Sequence, residues 1–228
     1  MRGVRHDAIR DLLRSQGHLL SLIAVIFGVY LLQEIRGSEW YNRYLAVPGQ
    51  LAEAWRLLLD GECSMPQLYS FGTLLSCAFF HGGPDHLIYN MLFLWIFAAL
   101  AVELLGRRWM WIIFVVTALC ASAFHALLNA RDFVPMLGAS GAVMGFEGAY
   151  LGLAMRWRLP DPHIWPMSRP VPPGRLALVG VVGVVLDFMS LMEQAESFVA
   201  YGAHLGGFVS GLVLASLFAP RPSCATRA

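Results

Sequence analysis

The 228-residue chain contains no lysine: its 16 basic side chains are all arginines, balanced by 15 carboxylates for a formal net charge of +1. With that balance and no basic cluster, a surface for nucleic acid is excluded. Charge of either sign is scarce, at 14% of residues, while 57% are hydrophobic and the mean hydropathy is +0.60. A soluble globular domain of this composition would leave too much apolar surface in water, so the chain belongs in a bilayer. The four cysteines, Cys63, Cys77, Cys120 and Cys224, lack metal-ligand spacing. A Cys63–Cys77 disulfide is open to them, but two free thiols are the favoured reading. No His-Glu-x-x-His occurs, which argues against metalloprotease chemistry. Nor is there an internal repeat or a pair of broken helices, the marks of many transporters. No metal or cofactor is expected.

What the chain does have is apolar runs. Residues 1–17 form a short basic tail with Arg2, Arg5, Arg10 and Arg14, ahead of a run from Leu19 to Gln33. No small-x-small cleavage site follows before Glu34-Ile35-Arg36, so the run reads as a retained helix. Five more runs lie at 86–105, 109–130, 140–155, 176–192 and 202–219. Each approaches the ~20 residues needed to cross a ~30 Å hydrocarbon core. The expectation is an all-α membrane protein, a single domain over residues 1–228 with six transmembrane helices.

Arginine sets the orientation. With the N-terminus cytoplasmic, Arg2, Arg5, Arg10, Arg14, Arg107, Arg108, Arg156, Arg158, Arg169, Arg175, Arg221 and Arg227 fall inside, against Arg36, Arg43, Arg56 and Arg131 outside. The 220–228 tail is then cytoplasmic too. Arginine without lysine points to a GC-rich bacterial genome, and so to the inner (cell) membrane. Residues 36–85 become an outer loop, in which Pro48 to Gly61 reads as an amphipathic helix with Leu51, Ala52, Trp55, Leu58 and Leu59 on its apolar side. Such a helix lies in the headgroup region or packs on the bundle as a spacer.

Polar side chains inside apolar runs are costly and so mark function. They are His86, Asn90, Glu103, His125, Ser140, Glu147, Asp187 and His204. Counted up from the first cytoplasmic arginine of each helix, Asn90, Ser140 and His204 all stand about 24 to 26 Å high at ~1.5 Å per residue. They share one level toward the outer side, with His86 one turn above Asn90. Hydrolysis needs a nucleophile, a base and oxyanion donors, and this level offers Ser140, His204, and His86 with Asn90 and the Ser140 N–H. At a helix start that N–H has no intrahelical partner. Gly141, Gly145, Gly148 and Gly152 form one small-residue stripe, and Gly207, Gly211 and Ala215 another, which would let the two helices approach. Taken singly, Ser140 is a packing or capping residue and His204 an interhelical hydrogen bond; their shared height is what favours a hydrolytic site.

The segments Gly138-Ala139-Ser140-Gly141, His86-Leu87-Ile88-Tyr89-Asn90, and Ala203-His204 with Gly207 and Gly211 resemble the three signatures of rhomboid intramembrane serine proteases. Phe79-Phe80-His81-Gly82-Gly83 and Glu103 with Gly106-Arg107 match as well, so the resemblance spans all six helices. It implies a Ser140–His204 dyad and an oxyanion site from His86, Asn90 and the Ser140 N–H. It also implies cleavage of transmembrane protein substrates within or near their helices in the lipid bilayer, without metal or cofactor; a cut near the outer end is the leading expectation. Substrate entry beside the fifth helix is part of that expectation. The chain departs from the family pattern twice. Gly72 and Thr73 stand where a Trp-Arg pair is frequent, and Met144 replaces an aromatic that packs on the histidine. The alternative is a non-proteolytic rhomboid-like protein that binds transmembrane helices for quality control. Outside the dyad, Glu147 and Asp187 read as structural groups, Glu103 with Arg107 as a helix-end ion pair, His125 as interhelical packing and His81 as a loop neighbour of the site.

Overall fold

The computed structural model describes residues 2–162, 171–192 and 200–227. In order, its helices are α1 (Arg2–Arg36), α2 (Ser38–Tyr41), α3 (Pro48–Leu59), α4 (Met65–Ser76), α5 (Pro84–Leu105), α6 (Arg107–Leu128), α7 (Ser140–Arg156), α8 (Pro173–Met192) and α9 (Tyr201–Phe218). A helix therefore stands at each of the six apolar runs. Among the described residues, four stretches are long and apolar enough to cross a membrane: Ser15–Arg36, Pro84–Leu105, Arg107–Leu128 and Tyr201–Phe218. The basic tail is not separate from the first run, because α1 is one continuous helix from Arg2.

The core lies among α1, α5, α6 and α7, where Leu22, Ile26, Leu94, Phe97, Ile113, Phe114, Phe146 and Leu153 are all buried. Among the described residues, α7 and α9 form the most extensive helix pair. A Cβ on Gly207 would overlap the carbonyl oxygen of Gly141, one on Gly211 that of Gly145, and one on Gly148 that of Phe208. Lower down, Gly152 faces Ala215 and Ser216. The two stripes thus meet backbone to backbone, an approach only glycine permits. At the far end of this pair, Arg156 Nη1 donates to the carbonyls of Ala215 (3.0 Å) and Ala219 (3.1 Å), capping α9. There Trp157 and Arg158 pair with Arg227 and Thr226 as a two-residue ladder.

The long connection holds more structure than the sequence led us to expect. Helix α3 begins at Pro48 and ends before Gly61, which has φ +85°. It buries Leu51 and Ala54, while Trp55 and Leu59 on the same apolar side stay exposed, at 55% and 71%. Helix α4 follows, started by Ser64, whose N–H donates to Gln67 Oε1 (3.1 Å) in a capping box. Gly72 and Thr73 fall inside α4; Thr73 Oγ1 donates to the Ser70 carbonyl (2.6 Å) and Gly72 faces open space. The loop is anchored elsewhere. Gly49 N–H donates to the Asp132 carbonyl (2.7 Å), Met136 N–H to that of Ala46 (2.8 Å), and Ser76 Oγ to that of Tyr44 (2.7 Å). The Tyr41 and Tyr44 rings stack on Phe80.

Glu103 and Arg107 do not share the single helix expected for their pair. Gly106, at φ +83°, ends α5, so the two residues stand on different helices.

Candidate active site

Ser140 is the first residue of α7, His204 lies in the first turn of α9, and His86 and Asn90 lie in the first two turns of α5. All four occupy the same end of the bundle. The loop before Ser140 turns at Gly138, whose φ of +124° is one L side chains rarely adopt. A side chain there would also meet the His86 ring, with Cε1 at 2.7 Å and Nε2 at 2.8 Å, and lie 3.8 Å from Ser140 Oγ. His86 and Ser140 therefore border one small space that glycine keeps open. On the other flank, a Cβ on Gly141 would lie 3.4 Å from the Ala203 carbonyl oxygen. The residue after Ser140 thus touches the residue before His204.

Hydrogen bonds settle two imidazole tautomers. Gly82 N–H donates to His86 Nδ1 (3.3 Å), so a neutral His86 carries its proton on Nε2, the edge facing Gly138 and Ser140. Ala139 N–H donates to His81 Nε2 (3.4 Å), so His81 carries its proton on Nδ1. That Nδ1 is buried and completes no hydrogen bond among the described residues. His81 is fully buried and its ring stands edge to face with His86, centroids 5.1 Å apart. Asn90 is buried and donates from Nδ2 to the His86 carbonyl (2.8 Å), which leaves its second amide proton uncommitted by that bond. The ring of His204 meets Tyr201 edge-on at 6.4 Å. Met144 is buried on α7.

Burial, with a contribution from His86, pushes the His81 imidazole down to about 3 from 6.5. The folded chain then keeps His81 neutral where the unfolded chain takes up a proton, so between pH 6.5 and about 3 the unfolded state binds more protons. This contribution to stability is intact above pH 6.5 and falls by about 1.4 kcal/mol for each pH unit below it. Acid unfolding in detergent should show that slope in the wild type and a shallower one in His81→Gln. Equal slopes would overturn the assignment.

Glu147 and His125 each face a neighbouring helix. Glu147 is buried against α8, its Oε2 3.3 Å from where a Gly180 Cβ would lie. His125 Nδ1 is 3.1 Å from the corresponding point on Gly202, and Asn129 Nδ2 donates to the His125 carbonyl (2.9 Å). The side chain of Asp187 lies outside the described residues, as does Arg169. All four cysteines are free thiols. Among the described residues no group of His, Cys, Asp and Glu is arranged to hold a metal ion.

Three features of this end escaped the sequence reading: the Gln33 amide, the His81 ring as a hydrogen-bond acceptor, and Tyr201. Gln33 Nε2 donates to the His81 carbonyl (2.6 Å) while its Oε1 accepts from the His81 N–H (3.2 Å). A readable signal existed for two of them. Gln33 is an amide at the end of an apolar run, and Tyr201 precedes His204 by three residues, one helical turn.

Helices of membrane length, glycine-mediated packing and a polar cluster at one end define an integral, multi-pass membrane protein of all-helical fold. A family model for the rhomboid domain matches residues 67–221, and the chain belongs to the rhomboid family. It is 25% identical to rhomboid protease GlpG of Pectobacterium atrosepticum over 214 residues, 92% of this chain and 66% of that protein. RHOMBOID-like protein 5 of Arabidopsis thaliana is 27% identical over 150 residues, 65% of this chain and 44% of its own length. Rhomboid-like protein 11, chloroplastic, of the same plant is 30% identical over 166 residues, 70% of this chain and 56% of its own. The chain thus spans 44% to 66% of the length of these three relatives.

Proposed function

We propose that the protein is an intramembrane serine endopeptidase that cuts transmembrane-helix substrates near their outer ends. The observation that carries this reading is the placement of His86, Ser140 and His204 at the starts of α5, α7 and α9 on one end of the bundle, where Gly138 keeps open the space that His86 and Ser140 border. In this reading six helices cross the bilayer, α1 and α5 to α9, with both termini cytoplasmic by the arginine bias.

Ser140 Oγ attacks the scissile carbonyl carbon while His204 takes the hydroxyl proton. The carbonyl oxygen becomes an oxyanion. His86 Nε2–H, the second Asn90 amide proton and the Ser140 N–H are its donors, and the positive end of α7 favours its charge. His204 then gives its proton to the leaving amine, and water, activated by the same imidazole, releases the acyl group from Ser140. The loop leaves the right N–H groups over for this task. Cys77 O accepts from Gly138 N–H (3.0 Å) and His81 Nε2 from Ala139, so Ser140 bears the first N–H past the loop's own bonds. Tyr201 supplies the aromatic edge against His204 that the family pattern places at the position of Met144. A substrate helix must unwind before attack, because its peptide bonds are shielded and internally bonded; helix-breaking or small residues near the cut are expected.

A serine-reactive fluorophosphonate probe tests this against the alternative of a non-proteolytic protein that binds transmembrane helices. Stoichiometric labelling of the wild type, abolished in Ser140→Ala and reduced at least tenfold in His204→Ala, is the expected result. Persistent absence of labelling in folded protein would favour the binder.

A further inference from the structure

We infer that His81 is a positioning residue for the reaction, holding the loop that presents Ser140, and that Gln33 on α1 holds His81 in turn; the inference rests on the proposed protease reading. Ala139 immediately precedes Ser140, and the acceptor for its N–H is a side chain 58 residues earlier in the chain. That acceptor has little freedom. His81 is 0% exposed, and its backbone N–H and carbonyl are both taken by one amide, Gln33, itself 4% exposed. The same ring meets His86 at 5.1 Å, so a single buried imidazole touches both the loop before Ser140 and the proposed oxyanion donor His86.

The chemistry explains why the residue suits the place. An acceptor is needed there, because an Ala139 N–H left unbonded would compete with the Ser140 N–H for a nearby carbonyl oxygen. The acceptor must also be neutral and rigid, since a carboxylate would repel an oxyanion formed a few ångströms away. A neutral imidazole with its proton on Nδ1 meets both needs. Gln33 adds the link to α1, whose reciprocal pair with His81 spans 48 residues of sequence. Without it the 77–83 loop would be free to shift relative to α5, and Ala139 with it. Small displacements matter here, because about 1 Å at a reacting group can cost on the order of 100-fold in rate.

The test measures kcat and KM for a transmembrane reporter in detergent, with Ser140 probe labelling and thermal unfolding recorded in parallel. His81→Ala should lower kcat about 10- to 100-fold with KM unchanged, and Gln33→Met should act in the same direction. His81→Gln should recover most of the rate, since its Oε1 can accept the Ala139 N–H. A wild-type kcat in His81→Ala would overturn the inference. So would His81→Gln performing no better than His81→Ala in folded protein, or a change confined to KM. If the variants do not fold, wild-type protein labelled with 15N-histidine decides. An unprotonated Nε2 correlated with the Ala139 amide supports the inference, and a protonated Nε2 at neutral pH overturns it. Failure of the protease reading would look different, as wild-type protein that neither cuts the reporter nor labels at Ser140.

Discussion

Ser140→Ala is expected to slow cleavage of a transmembrane reporter by about 10⁴- to 10⁶-fold, and His204→Ala by a comparable factor. The reasoning is that nucleophile and base act as one unit, so removing either removes the covalent route, and the double variant should be no slower than the worse single one. The hydroxyl packs little volume and sits half-buried at a helix start, so Ser140→Ala should unfold at the wild-type temperature. Oxyanion donors follow a smaller scale. Losing one costs about 10²- to 10³-fold in kcat, which sets the expectation for His86→Ala. Asn90 is the more instructive residue, since one of its amide protons already serves the His86 carbonyl. Were Asn90→Ala to cut at the wild-type rate while His86→Ala did not, the oxyanion role would narrow to His86. Cleavage surviving in Ser140→Ala or His204→Ala would remove the dyad.

The helical framework was legible because each run announces itself by local pattern. Helix α7 starts at the residue chosen for it, Ser140, since the Gly138 turn and the apolar, glycine-rich run fix that boundary. Helix α5 starts two residues earlier than the apolar run, because Pro84 lacks the N–H that a first-turn residue would leave unbonded. Helix α6 stops at Leu128 because Asn129 leaves helical geometry, at φ −123° and ψ 36°. The glycine stripes were legible for the same reason: a repeat of four residues is a local pattern whose only use is close approach.

What stayed hidden was long-range or broken in pattern. Helix α4 interrupts its apolar residues with Ser70, Gly72 and Thr73, although Ser64-x-x-Gln67 with Pro66 marked its start. The partners of Gln33 and His81 are backbone groups 48 and 58 residues away, and nothing in either neighbourhood names them. Gly72 and Thr73, which stand where the family pattern has Trp-Arg, lie inside α4 and do not tie the loop down. The anchoring lies in backbone bonds between 46–49 and 132–136, which any side chains can make.

Gly211→Ala should be among the most damaging single-methyl additions in the chain, for a reason that separates it from other glycines. Its new Cβ would overlap the carbonyl oxygen of Gly145 and lie 2.9 Å from the Gly145 Cα. A side chain in that position could rotate away, but backbone cannot, so α9 must move off α7 as a body. Overpacking of this kind costs about 1–3 kcal/mol, and a backbone obstacle puts Gly211→Ala at the upper end, near 3 kcal/mol. In the proposed mechanism the same movement separates the base His204 from Ser140, so the rate should fall by on the order of 100-fold even in the folded fraction. Two comparisons isolate the cause. A Cβ on Gly206 meets the Phe124 Cβ at 2.6 Å, a shallower overlap than that with the Gly145 carbonyl oxygen, so Gly206→Ala should lose less than Gly211→Ala. Gly28 on α1 has no atom within 4 Å of that point, and Gly28→Ala should gain about 0.5–1 kcal/mol from helix propensity with activity unchanged. Thermal or denaturant unfolding in detergent, read beside reporter cleavage, orders the three. If Gly211→Ala were as stable and active as Gly28→Ala, close α7–α9 contact would not be what positions the proposed dyad.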